Sequence, residues 1–148
     1  MGGPVRRIRI LESLARLERE ELDRRRRELA ALEDRLAAVR TCARQLRDAL
    51  PSEIEAGWNL AGGPAPLGRW LAAVHERDRT LRNETETLEA QRERAIAEVD
   101  ARYAAKRRLE LILARARAEL RVREVEREQR QLDELAVLRR AREGDRSP

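Results

Sequence analysis

The stretch LAALEDRLAAVRTCARQLRDAL, from Leu29 to Leu50, carries an apolar residue at every third or fourth position. The apolar series, in steps of 3 and 4 without a miss, is Leu29, Leu32, Leu36, Val39, Ala43, Leu46 and Leu50. Such a repeat keeps one narrow stripe of a helix turned toward another helix, as in a coiled coil. The stretch therefore predicts a long helix that packs against a second helix along this stripe, which we call the seam.

The seam extends in both directions from this stretch. Upstream, Ile8, Leu11, Ala15 and Leu22 keep the phase, but Glu18 and Arg25 interrupt it. We therefore expect looser packing there. Downstream, a second and weaker series contains polar residues at Thr85 and Arg92, and its apolar members are Trp70, Val74, Leu81, Leu88, Ala95 and Val99. Tyr103 is expected to pack at a seam position, and a denser apolar patch follows at Leu109, Ile112, Leu113, Ala116 and Leu120.

Glycine and proline indicate where the helices end. Four of the seven glycines lie between Gly57 and Gly68, and three of the five prolines lie between Pro51 and Pro66. Inside a helix glycine costs about 1 kcal/mol and proline about 3 kcal/mol, so helices avoid both. Pro51 either ends the first helix or begins a short extra turn.

We accordingly predict an all-α fold, a long antiparallel two-helix coiled-coil hairpin. Its predicted parts are a flexible N-terminus over residues 1–4, a first helix over 5–56, a tip loop over 57–68, a second helix over 69–143 and a flexible C-terminus over 144–148. Trp58 and Trp70 flank the loop, where they either plug the tip or anchor a partner protein.

The second predicted helix is much longer than the first. A turn centred near residue 62 brings residue i opposite roughly residue 124 − i, so positions beyond about 120 have no partner in the chain. This overhang still carries the apolar residues Val122, Val125, Leu132, Leu135 and Leu138. An unpaired apolar stripe typically marks a docking surface. Fraying, or pairing in a homodimer, is the alternative.

Composition argues against an enzyme. Aromatic residues make up 2% of the 148 residues and charged residues 41%, whereas a layered globular core needs large apolar side chains. The chain contains one His, His75, and one Cys, Cys42, which we interpret as solvated surface and as a semi-buried residue. These are too few for a catalytic triad or a metal site. We predict no catalytic residue, cofactor, metal or small-molecule substrate.

Charge and hydropathy limit the partners and the location. The net charge is +5, but acidic and basic residues alternate, and the longest basic run is Arg24–Arg27. Alternating charges are typical of solvated helix faces, so nucleic acid is not the expected partner. No apolar run is long enough for a signal peptide or a membrane span, which favours the cytoplasm.

Three segments resemble the flagellar export protein FliJ family. They are IEAGWNL (Ile54–Leu60), RWLAAVHERDRTL (Arg69–Leu81) and EREQRQLDELAVLRRARE (Glu126–Glu143), the last containing LDELA (Leu132–Ala136). The family consists of small, charge-rich coiled-coil hairpins, and the resemblance covers nearly the whole chain. It implies a non-enzymatic stalk or adaptor of the flagellar type III protein export apparatus, in the cytoplasm at the periphery of the inner membrane at the flagellar base.

The resemblance also implies partners and contact residues. The end with the two termini would insert into the export ATPase hexamer, through Val125, Leu132, Asp133, Leu135 and Leu138. The tip would contact the cytoplasmic domain of the export-gate membrane protein, through Trp70, Leu71 and Val74. Export chaperones are further expected partners. We expect a monomeric hairpin, with a homodimer as the alternative. A virulence-type export system, a generic coiled-coil scaffold and an Arg-rich nucleic-acid-binding protein remain open.

Overall fold

Two long helices account for nearly all of the described chain. The computed structural model describes residues 2–59 and 64–146, in which α1 spans Gly3–Trp58 and α2 spans Pro64–Gly144. The described residues outside the helices are Gly2, Asn59, Asp145 and Arg146. The two helices pack against each other, which confirms the predicted all-α fold at this level.

Both helices extend further than the sequence predicted. α1 begins at Gly3 rather than at residue 5 and continues to Trp58. α2 begins at Pro64, so residues 64–68 are helical although the sequence placed them in the tip loop. A proline fits the first position of a helix because its missing N–H would have no partner there. Residues 60–63 of that loop, Met1 and residues 147–148 lie outside the described residues.

Pro51 lies inside α1, which corrects both expectations for this residue. Its missing N–H deprives the carbonyl of Arg47 of the usual helical hydrogen bond. The pyrrolidine ring is exposed, and the helix continues for two further turns to Trp58. A single proline therefore weakens this helix without ending it.

The contacts divide the chain into two compact units. The loop unit comprises Glu21–Arg102, and the terminal unit combines the chain up to Glu20 with the chain from Tyr103 onward. Each unit thus contains a segment of α1 and a segment of α2.

Apart from Leu67, which was predicted to lie in the tip loop, the core of the loop unit follows the predicted seam. Its buried apolar residues, all at most 8% exposed, are Leu22 and Leu36 of α1 and Leu67, Val74, Leu81 and Leu88 of α2. The remaining seam residues of α1 between Leu29 and Leu50 are half-buried. The stretch from which the helix pairing was predicted therefore does form the contact face of α1.

Ion pairs between the helices define the pairing order in the loop unit. The pairs are Arg25–Glu98 at 2.7 Å, Glu33–Arg92 at 3.3 Å, Arg40–Glu89 at 2.8 Å and Arg47–Asp78 at 3.3 Å. As the α1 residue number rises, the number of its α2 partner falls. Exposed ion pairs contribute little stability, roughly 0–1 kcal/mol each. These pairs therefore show which residues of the two helices lie opposite each other, and add little to the stability of the packing.

The charged seam position at Arg25 does not loosen the packing around it. Leu22, one turn away, is 1% exposed. The guanidinium of Arg25 donates to Glu98 and also pairs with Glu21 and Glu28. Because an arginine stem covers apolar surface while its head reaches polar partners, the predicted looser packing was wrong here.

The terminal unit has a smaller core. Ala15 of α1 and Leu113 of α2 are 1% and 4% exposed, and Ile8, Leu11, Leu109, Ala116 and Leu120 are half-buried around them. Ion pairs that join the helix segments include Glu12–Arg117 at 2.8 Å and Arg19–Glu110 at 3.9 Å. The burial of Ala15 shows that the predicted looser packing was also wrong beside Glu18.

Tyr103 is not part of this core. Its side chain is 52% exposed, and the Nζ atom of Lys106 lies 6.0 Å from the ring centroid. The seam of α2 advances in alternating steps of 3 and 4 residues, and the half-buried residues Lys106 and Leu109 belong to it. This series contains position 102 and therefore not Tyr103. The predicted packing of Tyr103 at the seam was therefore wrong.

Candidate functional site

The C-terminal part of α2, from Arg121 to Gly144, is fully accessible; we call it the tail. Every residue from Arg121 to Arg146 is exposed. The α1 end of the terminal unit lies at the start of the tail, where Pro4 and Arg7 line a surface depression together with Leu120 and Arg123. The helix pairing of the terminal unit therefore stops close to Leu120.

The tail contains the residues predicted to dock on an ATPase. Val125, Leu132, Leu135 and Leu138 are 64%, 60%, 54% and 57% exposed. Asp133 accepts a hydrogen bond of 3.2 Å from Nε2 of Gln129. These five predicted residues lie on one uninterrupted helix, and their side chains are accessible to another protein.

The apolar face of the tail is not a continuation of the seam. In the terminal unit the seam of α2 steps through Leu109, Leu113, Ala116 and Leu120. The same alternating steps then reach charged residues, Arg123, Arg127, Arg130 and Glu134, and return to apolar residues only at Val137 and Ala141. Val122, Val125 and Leu132 fall on the far side of α2 instead. A protein that binds them approaches α2 from the side away from α1.

Exposed apolar side chains concentrate in the terminal unit. Among the described residues, the exposed large apolar side chains outside it are Ile54 and Trp58. Those in the terminal unit, besides the tail, include Val5, Ile10, Leu14 and Leu17 of α1 and Leu111 and Ile112 of α2. This α1 patch was not predicted, although Ile10, Leu14 and Leu17 recur in steps of 4 and 3 beside the seam.

The residues predicted to contact an export gate differ in accessibility. Val74 is 8% exposed and belongs to the core of the loop unit, whereas Trp70 and Leu71 are half-buried. Trp58, at the end of α1, is 72% exposed. Trp58 therefore does not plug the tip. Val74 supports the packing of the two helices and is too buried to contact another protein directly.

The remaining candidates for chemistry are isolated. His75 is exposed, as expected, and Cys42 is also exposed rather than semi-buried. Over the described ranges, no three His, Cys, Asp or Glu side chains come together in a way that could hold a metal ion. In residues 2–59 and 64–146, no helix has the length and apolar character needed to cross a membrane.

Acidic groups offset most of the positive charge in one surface depression of the loop unit. A depression in the loop unit is lined by four arginines, Arg40, Arg44, Arg47 and Arg82. Three of them pair with carboxylates, Arg40 with Glu89 and both Arg47 and Arg82 with Asp78. A hydrogen bond from Arg24 holds the pKa of Glu21 below its ordinary value. Local pairing thus leaves little concentrated positive charge in this depression.

The apolar tail is therefore the most prominent candidate interaction surface. A second one contains the exposed Trp58 and the half-buried Trp70 near the loop. Comparison with protein-family models, with curated proteins and with solved structures finds no match for this chain.

Proposed function

We propose that this protein is a non-enzymatic stalk or adaptor of the flagellar type III export apparatus. The proposal combines two lines of support, the exposed apolar tail and the resemblance of three sequence segments to the FliJ family. In this proposal the helices form an antiparallel coiled-coil hairpin. The reversed order of the partners in pairs such as Arg25–Glu98 and Arg47–Asp78 supports that arrangement.

The observation that carries the proposal is the accessible tail. The free energy falls when another protein covers apolar side chains that are this exposed on a charge-rich helix. The export ATPase hexamer is the proposed partner, with Val125, Leu132, Leu135 and Leu138 packing inside it. Asp133 and the arginines near the C-terminus, Arg139, Arg140 and Arg142, provide screened charge contacts around this apolar stripe.

The loop unit supplies the second proposed contact, with the cytoplasmic domain of the export-gate membrane protein. Trp70 and Leu71 are the half-buried contact residues, and Val74 holds α2 against α1 beneath them. Tryptophan is enriched at sites that dominate binding energy, which favours Trp70 and the exposed Trp58 as anchors. The location proposed for this bridge is the cytoplasmic side of the inner membrane at the flagellar base, where export chaperones also bind it.

A generic coiled-coil scaffold is the second candidate function. It is favoured by the exposed α1 patch of Ile10, Leu14 and Leu17, which widens the apolar surface beyond the tail. A nucleic-acid-binding role is disfavoured, because carboxylates pair with arginines of the loop-unit depression. Phosphate binding needs cationic groups that are free to neutralise the backbone.

Binding to the purified export ATPase tests the proposal. The variant Leu132→Asp/Leu135→Asp places two carboxylates in the apolar stripe and is expected to lose binding in a pull-down. The matched control Gln131→Asp/Ala141→Asp changes two other exposed tail residues and is expected to retain it. Circular dichroism should show equal helix content for both. Retention of the ATPase by the first variant would refute the assignment of the tail.

A further inference from the structure

We propose that in the free protein the last two turns of α1, residues 52–58, open while the rest of α1 stays paired, and that this opening controls access to Trp70 and Leu71 of α2. We call residues 52–58 the end segment. The opening concerns the chain alone, whereas the control of access rests on the proposed gate contact. Three features support it: the position of Pro51, the few contacts of the end segment and the side chains that lie opposite it.

Pro51 marks the point from which α1 opens. The residue before a proline favours an extended backbone, yet Leu50 is helical in α1. Pro51 also leaves the carbonyl of Arg47 without its helical hydrogen bond. When the end segment unwinds, Leu50 can relax toward its preferred backbone, and no hydrogen bond is lost at residue 51. From residue 5 to residue 50, α1 contains neither proline nor glycine, so this stretch has no second point of the same kind.

Few contacts hold the end segment to α2. Six of its seven residues are exposed, and Gly57 is half-buried. Because Gly57 has no side chain, its close approach to Leu67 buries little apolar area of the end segment. Ile54 remains 37% exposed. A helix end with little buried apolar area and solvent-accessible backbone hydrogen bonds opens at a small cost in free energy.

The part of α1 before Pro51 is held more firmly. Leu36 is 3% exposed, and the seam residues Leu46 and Leu50 are half-buried. Among the described residues, the ion pair between the helices that lies nearest the loop is Arg47–Asp78, on the N-terminal side of Pro51. Unwinding of the end segment leaves this ion pair and the seam before it intact, so the opening stops at Pro51.

Two contacts fix which residues of α2 lie opposite the end segment. They are the close approach of Gly57 to Leu67 and the ion pair Arg47–Asp78. Because residue numbers fall on α2 as they rise on α1, residues 53–55 lie opposite Trp70 and Leu71. Both of these side chains are half-buried. When the end segment opens, the surface of α2 that contains them becomes accessible.

The opening thereby limits binding at this surface. In the closed form, Trp70 and Leu71 present only part of their area to a partner. We expect the cytoplasmic domain of the export gate to bind the open form, in which both side chains are accessible. A partner that binds only one form has its apparent affinity reduced by the fraction of molecules in that form. The equilibrium at Pro51 thus sets the affinity of the loop unit for the gate.

Hydrogen exchange of the free, full chain tests the opening. Amides of residues 52–58 exchange when the end segment unwinds, whereas those of residues 29–50 exchange only when the seam separates. We expect protection factors about a hundredfold lower in residues 52–58 than in residues 29–50. Equal protection of the two stretches overturns the opening.

The variant Pro51→Ala tests the cause of the opening. The alanine N–H can donate to the carbonyl of Arg47, and alanine is far more favourable than proline inside a helix. The variant should therefore raise the protection of residues 52–58 by about tenfold or more. The matched control Thr41→Ala changes an exposed residue earlier in α1 and should leave this protection unchanged. An end segment that is insensitive to Pro51→Ala overturns the role of Pro51.

Titration with the purified cytoplasmic domain of the export gate tests the control of access. Protection and apparent affinity both depend on the open fraction, so Pro51→Ala should weaken gate binding by the same factor by which it raises the protection of residues 52–58. Thr41→Ala should leave the affinity unchanged. Unchanged or tighter gate binding by Pro51→Ala overturns the control of access. If the natural chain does not bind the gate domain, the gate contact of the proposed function fails, while hydrogen exchange still decides whether the end segment opens.

Discussion

Gly57 of α1 and Leu67 of α2 approach each other so closely that a Cβ atom on residue 57 would lie 2.7 Å from Cδ1 of Leu67. Leu67 is 8% exposed, so its side chain has limited room to move. The expectation that residue i faces roughly 124 − i also pairs these two positions. A Cβ atom at residue 57 would therefore force the side chain of Leu67 to shift.

This contact predicts different effects of alanine at two helical glycines. At Gly68 nothing lies within 4 Å of the place that a Cβ atom would occupy, so Gly68→Ala should stabilise α2 by about 0.5–1 kcal/mol through helix propensity. At Gly57 the same gain is opposed by displacement of Leu67, so Gly57→Ala should stabilise less or destabilise. Urea unfolding of both variants measures this difference. In the Leu67→Ala background, Gly57→Ala should show the full stabilisation from helix propensity. Equal effects of alanine at Gly57 and Gly68 in the natural background would contradict the close contact between residue 57 and Leu67.

Leu22 provides a prediction about the core of the loop unit. It is 1% exposed, whereas Leu17, five residues earlier on α1, is 60% exposed. Leu22→Ala should lower the free energy of unfolding by about 2–5 kcal/mol, because it leaves a cavity. Leu17→Ala should change it by less than about 0.5 kcal/mol. Comparable losses for the two variants in chemical denaturation would show that the seam assignment is wrong.

The pKa of Glu21 predicts a dependence of stability on pH. Arg24 donates a hydrogen bond to Glu21 and holds the pKa of that carboxyl below its ordinary 4.5. A lowered carboxyl pKa stabilises the folded state above the unfolded pKa, and this contribution is lost as pH falls through the folded pKa. The stability difference between the natural chain and Glu21→Gln should therefore be present at pH 7 and shrink below pH 4.5. A difference that is constant with pH would mean that the Arg24 contact does not matter.

Trp70 tests the proposed gate contact. It is half-buried beside the loop unit core, so its removal affects both a surface and a packing contact. Trp70→Ala should weaken binding to the cytoplasmic domain of the export gate more than binding to the ATPase, as measured by titration with each purified partner. Val74→Ala is the matched control, because Val74 is buried and can act only through packing. Equal losses for both partners would indicate that Trp70 only supports the helix pair.

The seam was predictable because its cause is local. The run from Leu29 to Leu50 contains no glycine or proline, and its apolar residues recur at the period of paired helices. Burial of Leu36 and half-burial of Leu29 and Leu50 follow directly from that spacing. The exposed tail was predictable for a related reason, since the two helix segments have unequal lengths.

The helix ends and the face of the tail were not predictable in the same way. Pro51 is tolerated within α1, and Pro64 begins α2. Both outcomes depend on whether the local structure can do without the backbone hydrogen bond that a proline cannot donate. Tyr103 sits one position from the seam, so a one-residue uncertainty in phase decided whether it packs or is exposed. The seam phase also had to be known before Val125 and Leu132 could be placed on the side away from α1.

Hydrogen exchange measured with and without the export ATPase shows whether the tail is the surface that binds this partner. We expect the ATPase hexamer to slow amide exchange along the tail, between Arg121 and Gly144, and to leave residues 29–50 of α1 unaffected. Protection confined to residues 29–50, or no protection anywhere in the chain, would contradict the claim that the exposed tail is the surface that binds this partner.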